Sequence, residues 1–170
     1  MIYGLTGSGK AAIAFELEKR LFDAGRAVTV LYGPDMRQGL CRDLGFTADE
    51  RSENLRRSSE VAKLLNESGL LCICAFVAPH DAVREKARQV VGGDRCLSVY
   101  LSAPVEVCRQ RDKTGSYELA DAGRLTQFPG VSADYEPPAN PDLVLPTHEI
   151  SVEQSVDRIL TMMKQRRFIA

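Results

Sequence analysis

Near the start of the chain, Gly4-Leu5-Thr6-Gly7-Ser8-Gly9-Lys10 has the spacing G-x-x-x-x-G-K. Glycines at these intervals let successive backbone N–H groups turn toward one set of phosphate oxygens, and the lysine reaches the β and γ phosphates of a nucleoside triphosphate. A helix starting at the lysine adds the positive end of its dipole. The expected phosphate cradle is Gly4, Gly7, Ser8, Gly9, Lys10 and Ala11, and Lys10 is also a catalytic candidate because it meets the phosphoryl group that would move. An ordinary glycine-rich turn between strand and helix is the plainer alternative. Ala11 departs from the pattern, since a Ser or Thr there supplies the hydroxyl that coordinates Mg²⁺.

Such a loop needs a strand before it and a helix after it. The apolar runs 27–31, 70–77, 96–101 and 143–145 are short, continuous and partly β-branched, as in strands covered on both faces. A first helix is expected to about Ala24, burying Ile13, Leu17 and Leu21, with Gly25 as its left-handed cap. A second begins at Thr47, whose hydroxyl and Glu50 form a capping box, and stops near Gly69. Helices over 81–91 and 105–111 follow, and a last one starts at Ser151 with Gln154 completing its box. Strands alternating with helices imply an α/β fold of three layers, the P-loop nucleoside-triphosphate hydrolase/kinase architecture, with a mostly parallel sheet and helices on both faces. The 170 residues suit one domain, 1–170. Only three residues precede Gly4, as in a domain cut from a longer polypeptide.

The stretch 113–141 is rich in Gly and Pro and longer than most connections. A mobile lid or substrate loop is the functional expectation, and a disordered surface loop the alternative. Lys and Arg total 22 against 23 Asp and Glu, so a net charge of −1 offers no broad field for a nucleic acid or an acidic membrane. Phosphate recognition must therefore be local. Five cysteines, an odd number mostly in apolar runs, fit a reducing cytoplasm. Cys72 and Cys74 belong on one face of a strand rather than in a metal site, and no metal-ligating residues are assigned.

The run from Tyr32-Gly33-Pro34-Asp35-Met36-Arg37-Gln38-Gly39-Leu40 to Asp43-Leu44-Gly45-Phe46 resembles the D-G-D-N-x-R-x-G-L-x-x-D-L-G-F signature of adenylylsulfate (APS) kinases. The resemblance continues through Arg51, Glu53, Asn54, Leu55, Arg56 and Arg57, then Phe76 to Pro79, Arg111-Asp112, Tyr117, Phe128-Pro129-Gly130-Val131 and Tyr135-Glu136. It covers nearly the whole chain and looks most like the kinase half fused to bacterial sulfate adenylyltransferase subunits. It implies ATP-dependent phosphorylation of the 3′-hydroxyl of APS to 3′-phosphoadenylylsulfate (PAPS), with ATP and Mg²⁺ as cofactors. A cytoplasmic homodimer is also implied, and fusion or association with sulfate adenylyltransferase.

By the same resemblance Phe46 and Phe128 hold the APS adenine, Arg37 and Arg51 grip the phosphosulfate, and Asn54 contacts the substrate. Arg111 packs on the ATP adenine. Three of them have a plainer alternative, core packing for the two phenylalanines and a solvated helix charge for Arg111, and a solvated charge is also the plainer reading of Arg56 and Arg57. The departures fall on the chemistry. Tyr32 and Pro34 stand where the family has two acids, Ala78 stands at a serine, and the lid reads Tyr117-Glu118-Leu119-Ala120-Asp121 where relatives carry Lys and Arg. Asp35, one residue from the second acid, is the catalytic candidate that would rescue the site. His80 is either a weaker candidate base or a surface histidine. The alternative function is a catalytically weak nucleotide-binding regulatory or scaffold domain of a fused sulfate-activating enzyme.

Overall fold

A computed structural model describes residues 1–169. Strands β1 (Ile2–Tyr3), β2 (Val28–Tyr32), β3 (Leu71–Phe76), β4 (Val99–Leu101) and β5 (Leu143–Leu145) form one sheet in the order β2-β3-β1-β4-β5. Every pairing is parallel, so each connection must cross over a face of the sheet. The crossovers are α1 (Lys10–Asp23), α3 (Ala48–Glu67), α4 (Asp81–Val91) and α5 (Val105–Arg111). The last helix, α7 (Val152–Gln165), returns beside α1.

Alternation along the strands divides the core into two apolar layers. Ile2, Ile73, Ala75, Val99, Leu101 and Leu145 face α1 and α7, meeting Ile13, Leu17, Leu21, Val156 and Ile159. Tyr3, Cys74 and Phe76 face the other way, onto Leu55 and Ala62 of α3 and Ala87 and Val91 of α4. Each fully buried aliphatic side chain stabilises by about 1.5–3 kcal/mol, which is why these short strands hold without long ladders. The result is the expected three-layer α/β fold.

Local signals placed the helix ends. Gly25 is left-handed (φ 77°) and Arg26 N–H reaches Leu21 O at 2.9 Å, closing α1. Thr47 with Glu50 and Ser151 with Gln154 both form complete capping boxes. Cys72 and Cys74 share a face of β3, with Sγ atoms 3.9 Å apart.

One expectation needs correction, and two further segments hold order that the sequence did not signal. The run 96–101 contributes only its last three residues as strand, and just before them Ser98 N–H and hydroxyl are taken by the Asp142 carboxylate (2.8 and 2.9 Å). The D-G-D-like segment holds a four-residue helix, α2 (Gly33–Met36), started by a proline in its first turn. The stretch 113–141 is no structureless loop: it contains α6 (Ser116–Asp121) and a cluster of Tyr117, Ala120 and Phe128 packed on Ala103 and Cys108.

Candidate functional site

The phosphate loop leaves the carboxyl end of β1 and is held from three sides. Gly7 is left-handed (φ 83°), and a Cβ there would lie 2.4 Å from Cys108 O of α5, so only glycine lets loop and helix meet. Tyr117 of α6 donates its phenol hydrogen to Thr6 O at 2.7 Å. Thr147, after β5, donates its hydroxyl to Ser8 O at 2.8 Å, and Arg111 in turn donates to Thr147 O at 2.8 Å. Lys10 is buried, with Nζ donating to Gly4 O (2.9 Å) and Leu5 O (2.6 Å). Burial pushes its ammonium down to about 8.

A cleft of about 990 Å³ opens above this loop, at the upper end of the usual range for a ligand site. Thr6, Gly7, Gly9, Lys10 and Ala11 form its floor, and Tyr32, Gly33, Pro34 and Arg37 one wall. Phe46, Arg51 and Asn54 extend that wall along the start of α3, while Ala75 to Ala78 close the back. Arg111, Thr114, Ser116, Leu119 and residues 124–128 form the opposite wall.

The structure brings most of the expected residues together. Phe46 is 58% exposed, and its ring lies under both Arg37 (4.7 Å from guanidinium carbon to ring centroid) and Arg51 (5.2 Å). The same arginines donate to backbone oxygens, Arg37 to Gly45 O and Arg51 to Phe46 O and Gln127 O, so they are aimed rather than free. Burial and the neighbouring Arg37 push Arg51 down to about 10, and burial also lowers Arg37. Asn54 is buried on α3, with Ser58 donating to its backbone oxygen at 2.7 Å.

Phe128 is only 7% exposed and packs edge-on against Tyr117 with centroids 4.9 Å apart, so one part of its surface faces the cleft and the rest is core. Gly4 and Ser8 shape the floor without lining it. Ser8 is fully buried and its N–H turns inward to Leu5 O.

Asp35 is not brought in. It is exposed on α2 and does not line the cleft. Burial first, and the Asp35 carboxylate second, push the Tyr32 phenol above its usual value, so Tyr32 is a hydrogen donor to the cleft and not a base. His80 also stands outside, its Nδ1 3.4 Å from Glu136 of the 113–141 stretch. Arg57 is neither a cleft residue nor a loose charge: it ties α3 to the preceding turn through Asp43 (2.7 and 2.9 Å) and is held along the helix by Glu53 (2.8 Å).

Sequence reasoning missed two arginines. Arg84 of α4 is 4% exposed and donates to Ala78 O (2.6 Å) and Glu136 O (2.7 Å), clamping the end of the 113–141 stretch to the back of the cleft. The clamped Ala78 sits at φ 42°, a strained value for a residue with a Cβ. Arg124 lines the cleft from the turn after α6, a position that no local motif marks.

Magnesium is a hard cation that takes oxygen ligands, carboxylates above all. Among the described residues no Asp or Glu lines the cleft, and Ala11 lacks the hydroxyl that the loop ordinarily offers. The residues present do not fit a protein-held magnesium ion. What they do fit is an extended, multiply charged anion with an aromatic end: backbone and lysine at one point, guanidinium groups around the rim, and an exposed ring for a base.

A family model described as adenylylsulphate kinase matches residues 1–146. The bifunctional enzyme CysN/CysC of Rhodopirellula baltica is 49% identical over 169 residues, 99% of this chain, which spans 26% of that relative's length. The adenylyl-sulfate kinase of Halothermothrix orenii is 43% identical over 98% of this chain and 89% of its own. The solved structure of the Mycobacterium tuberculosis APS kinase CysC in complex with AMPPNP and APS is 36% identical, with a TM-score of 0.91 over 96% of this chain and 95% of that one. On the family match and on its identity to a relative it spans almost end to end, this chain belongs to the adenylylsulphate kinase family.

Proposed function

We propose that this chain transfers the γ-phosphoryl group of ATP to the 3′-hydroxyl of adenylylsulfate, giving PAPS. The observation that carries this is one cleft in which the phosphate loop faces the group of Arg37, Phe46, Arg51 and Asn54. A relative that holds AMPPNP and APS in one structure supports a cleft of this kind serving two nucleotides. In this reading Lys10 and the loop amides take the phosphates of ATP, and Arg111 flanks its base. Phe46 stacks on the adenine of APS, with Phe128 beside it, while Arg37 and Arg51 meet the phosphosulfate.

Phosphoryl transfer passes through a loose transition state, so positioning and charge neutralisation do most of the work. With no carboxylate among the described residues of its lining, the cleft has no strong base for the 3′-hydroxyl, and Asp35 would have to enter from outside its wall. Turnover below the ~1–100 s⁻¹ usual for kinases follows. The test is an assay of ATP with APS that separates 3′-phosphorylated product from the substrates. PAPS formed by the wild type and lost in Lys10→Ala supports the reading. ATP consumed without PAPS overturns it.

The missing carboxylates favour a second reading, a nucleotide-binding regulatory or scaffold domain. Tight binding of both nucleotides with no product selects it. Covalent association with a second sulfate-activating activity is supported by the bifunctional relative, of which this chain matches about a quarter. Among the described residues no helix is long and apolar enough to cross a membrane. A cytoplasmic single domain that pairs with a second copy completes the proposal.

A further inference from the structure

Five cations line the cleft: Lys10, Arg37, Arg51, Arg111 and Arg124. With no carboxylate among the described residues on the same surface, a phosphate chain entering it meets only positive charge and neutral dipoles. We propose that this cleft holds the phosphate chain of its nucleotide with guanidinium and ammonium groups in place of a protein-ligated divalent cation, and that Arg124 is one of those groups. The proposal rests on the nucleotide-binding reading above and goes beyond it in naming what neutralises the phosphates.

Four of the five cations already have work in the folded chain. Lys10 bonds to loop carbonyls, Arg111 to Thr147 O, and Arg37 and Arg51 to backbone oxygens around Phe46. Among the described residues the Arg124 side chain has no hydrogen-bond or ion-pair partner. Its backbone is nevertheless fixed, since Arg124 N–H donates to Leu119 O at 2.8 Å and so sets the turn after α6.

Of the two acids of α6, Asp121 is bound by both terminal guanidinium nitrogens of Arg109, and among the described residues Glu118 forms no ion pair with Arg124. An exposed guanidinium on a structured turn, unpartnered and facing a cleft that lacks acids among the described residues, is placed to meet phosphate oxygens with its planar fork. Arg37 and Arg51 share one aromatic ring and repel each other, so an anion between them relieves a cost present in the empty cleft.

ATP binding should be measured by calorimetry in EDTA and again in excess magnesium chloride, with inorganic tripolyphosphate in EDTA as a probe of the phosphate chain alone. ATP is expected to bind at least as tightly in EDTA as in magnesium, and tripolyphosphate to compete with it. Arg124→Ala is expected to weaken ATP in EDTA by about 10- to 100-fold, the scale of a hydrogen bond between charged groups, with its thermal midpoint unchanged. Arg124→Lys should retain more of the affinity than the alanine variant.

Weaker ATP binding in EDTA than in magnesium overturns the proposal and leaves the proposed function standing. Unchanged affinity of Arg124→Ala in EDTA removes Arg124 from it. No nucleotide binding in either buffer overturns the proposed function as well.

Discussion

At the scale of single residues, the most informative group is Lys10, whose burial under the phosphate loop lowers its ammonium to about 8. Below that value the free protein already holds the charge that phosphate needs. Above it the free lysine is neutral, and a bound phosphate must raise its pKa again, so binding takes up a proton. ATP affinity is therefore expected to fall by up to about tenfold per pH unit above pH 8, with proton uptake approaching one. Calorimetry in buffers of different ionisation enthalpy reads this directly, and a flat affinity from about pH 7 to 9 would remove Lys10 from the phosphate contact. A second residue-scale expectation concerns Pro34, which lines the cleft where an acid would face it. Pro34→Asp is expected to make ATP binding tighter in magnesium than in EDTA and to raise PAPS formation, with ~10²-fold as the lower scale of a general base. A rate and a metal preference that both stay at the wild-type level would show that this position does not face the reacting groups. Arg37, Phe46, Arg51 and Asn54 were legible in the sequence because they sit in two contiguous signatures. Arg124 and Arg84 were not, because each acquires its meaning from a surface assembled across the fold: a wall without acids for one, a strained Ala78 carbonyl for the other.

At the scale of elements, the cleft is steadied by the α6 segment, where Tyr117 and Phe128 form a small apolar cluster over α5 and the phosphate loop. Phe128→Ala should therefore act first on stability. The loss is expected to be about 3 kcal/mol, the lower end for a buried phenylalanine, and to appear as faster hydrogen exchange in α6. Unaltered exchange together with weakened APS binding would make the ring a substrate platform only. The sequence disclosed this region poorly for a physical reason. Its Gly and Pro content gives a loop signal, while the order comes from the tertiary contacts of Tyr117, Ala120 and Phe128. Where order was local, the reading was accurate: the two capping boxes and the Gly25 cap fix helix ends through hydrogen bonds spanning only a few residues. Helix α2 escaped because four residues around a proline leave no periodicity to detect.

At the scale of the whole molecule, the sign of charge differs between the chain and its cleft. The chain carries 22 Lys and Arg against 23 Asp and Glu, yet the cleft takes five of the cations and, among the described residues, none of the acids. The remaining surface is therefore acidic, and an approaching nucleotide meets a repulsive exterior around an attractive opening. Low-dielectric walls focus the field of the opening, whereas the net charge governs only the distant approach. These two terms predict opposite responses to salt. If net charge ruled, screening would remove repulsion and speed ATP association. If the cleft rules, screening removes attraction, and association slows as the Debye length shrinks from about 30 Å at 0.01 M to about 10 Å at 0.1 M. Stopped-flow association of ATP is expected to slow severalfold over that range, while uncharged adenosine stays constant. Arg124→Ala should lessen the slope without reversing it. Faster ATP association at higher salt would mean that the five cations do not act together on the incoming phosphate chain, and the arrangement would then serve orientation after contact rather than capture.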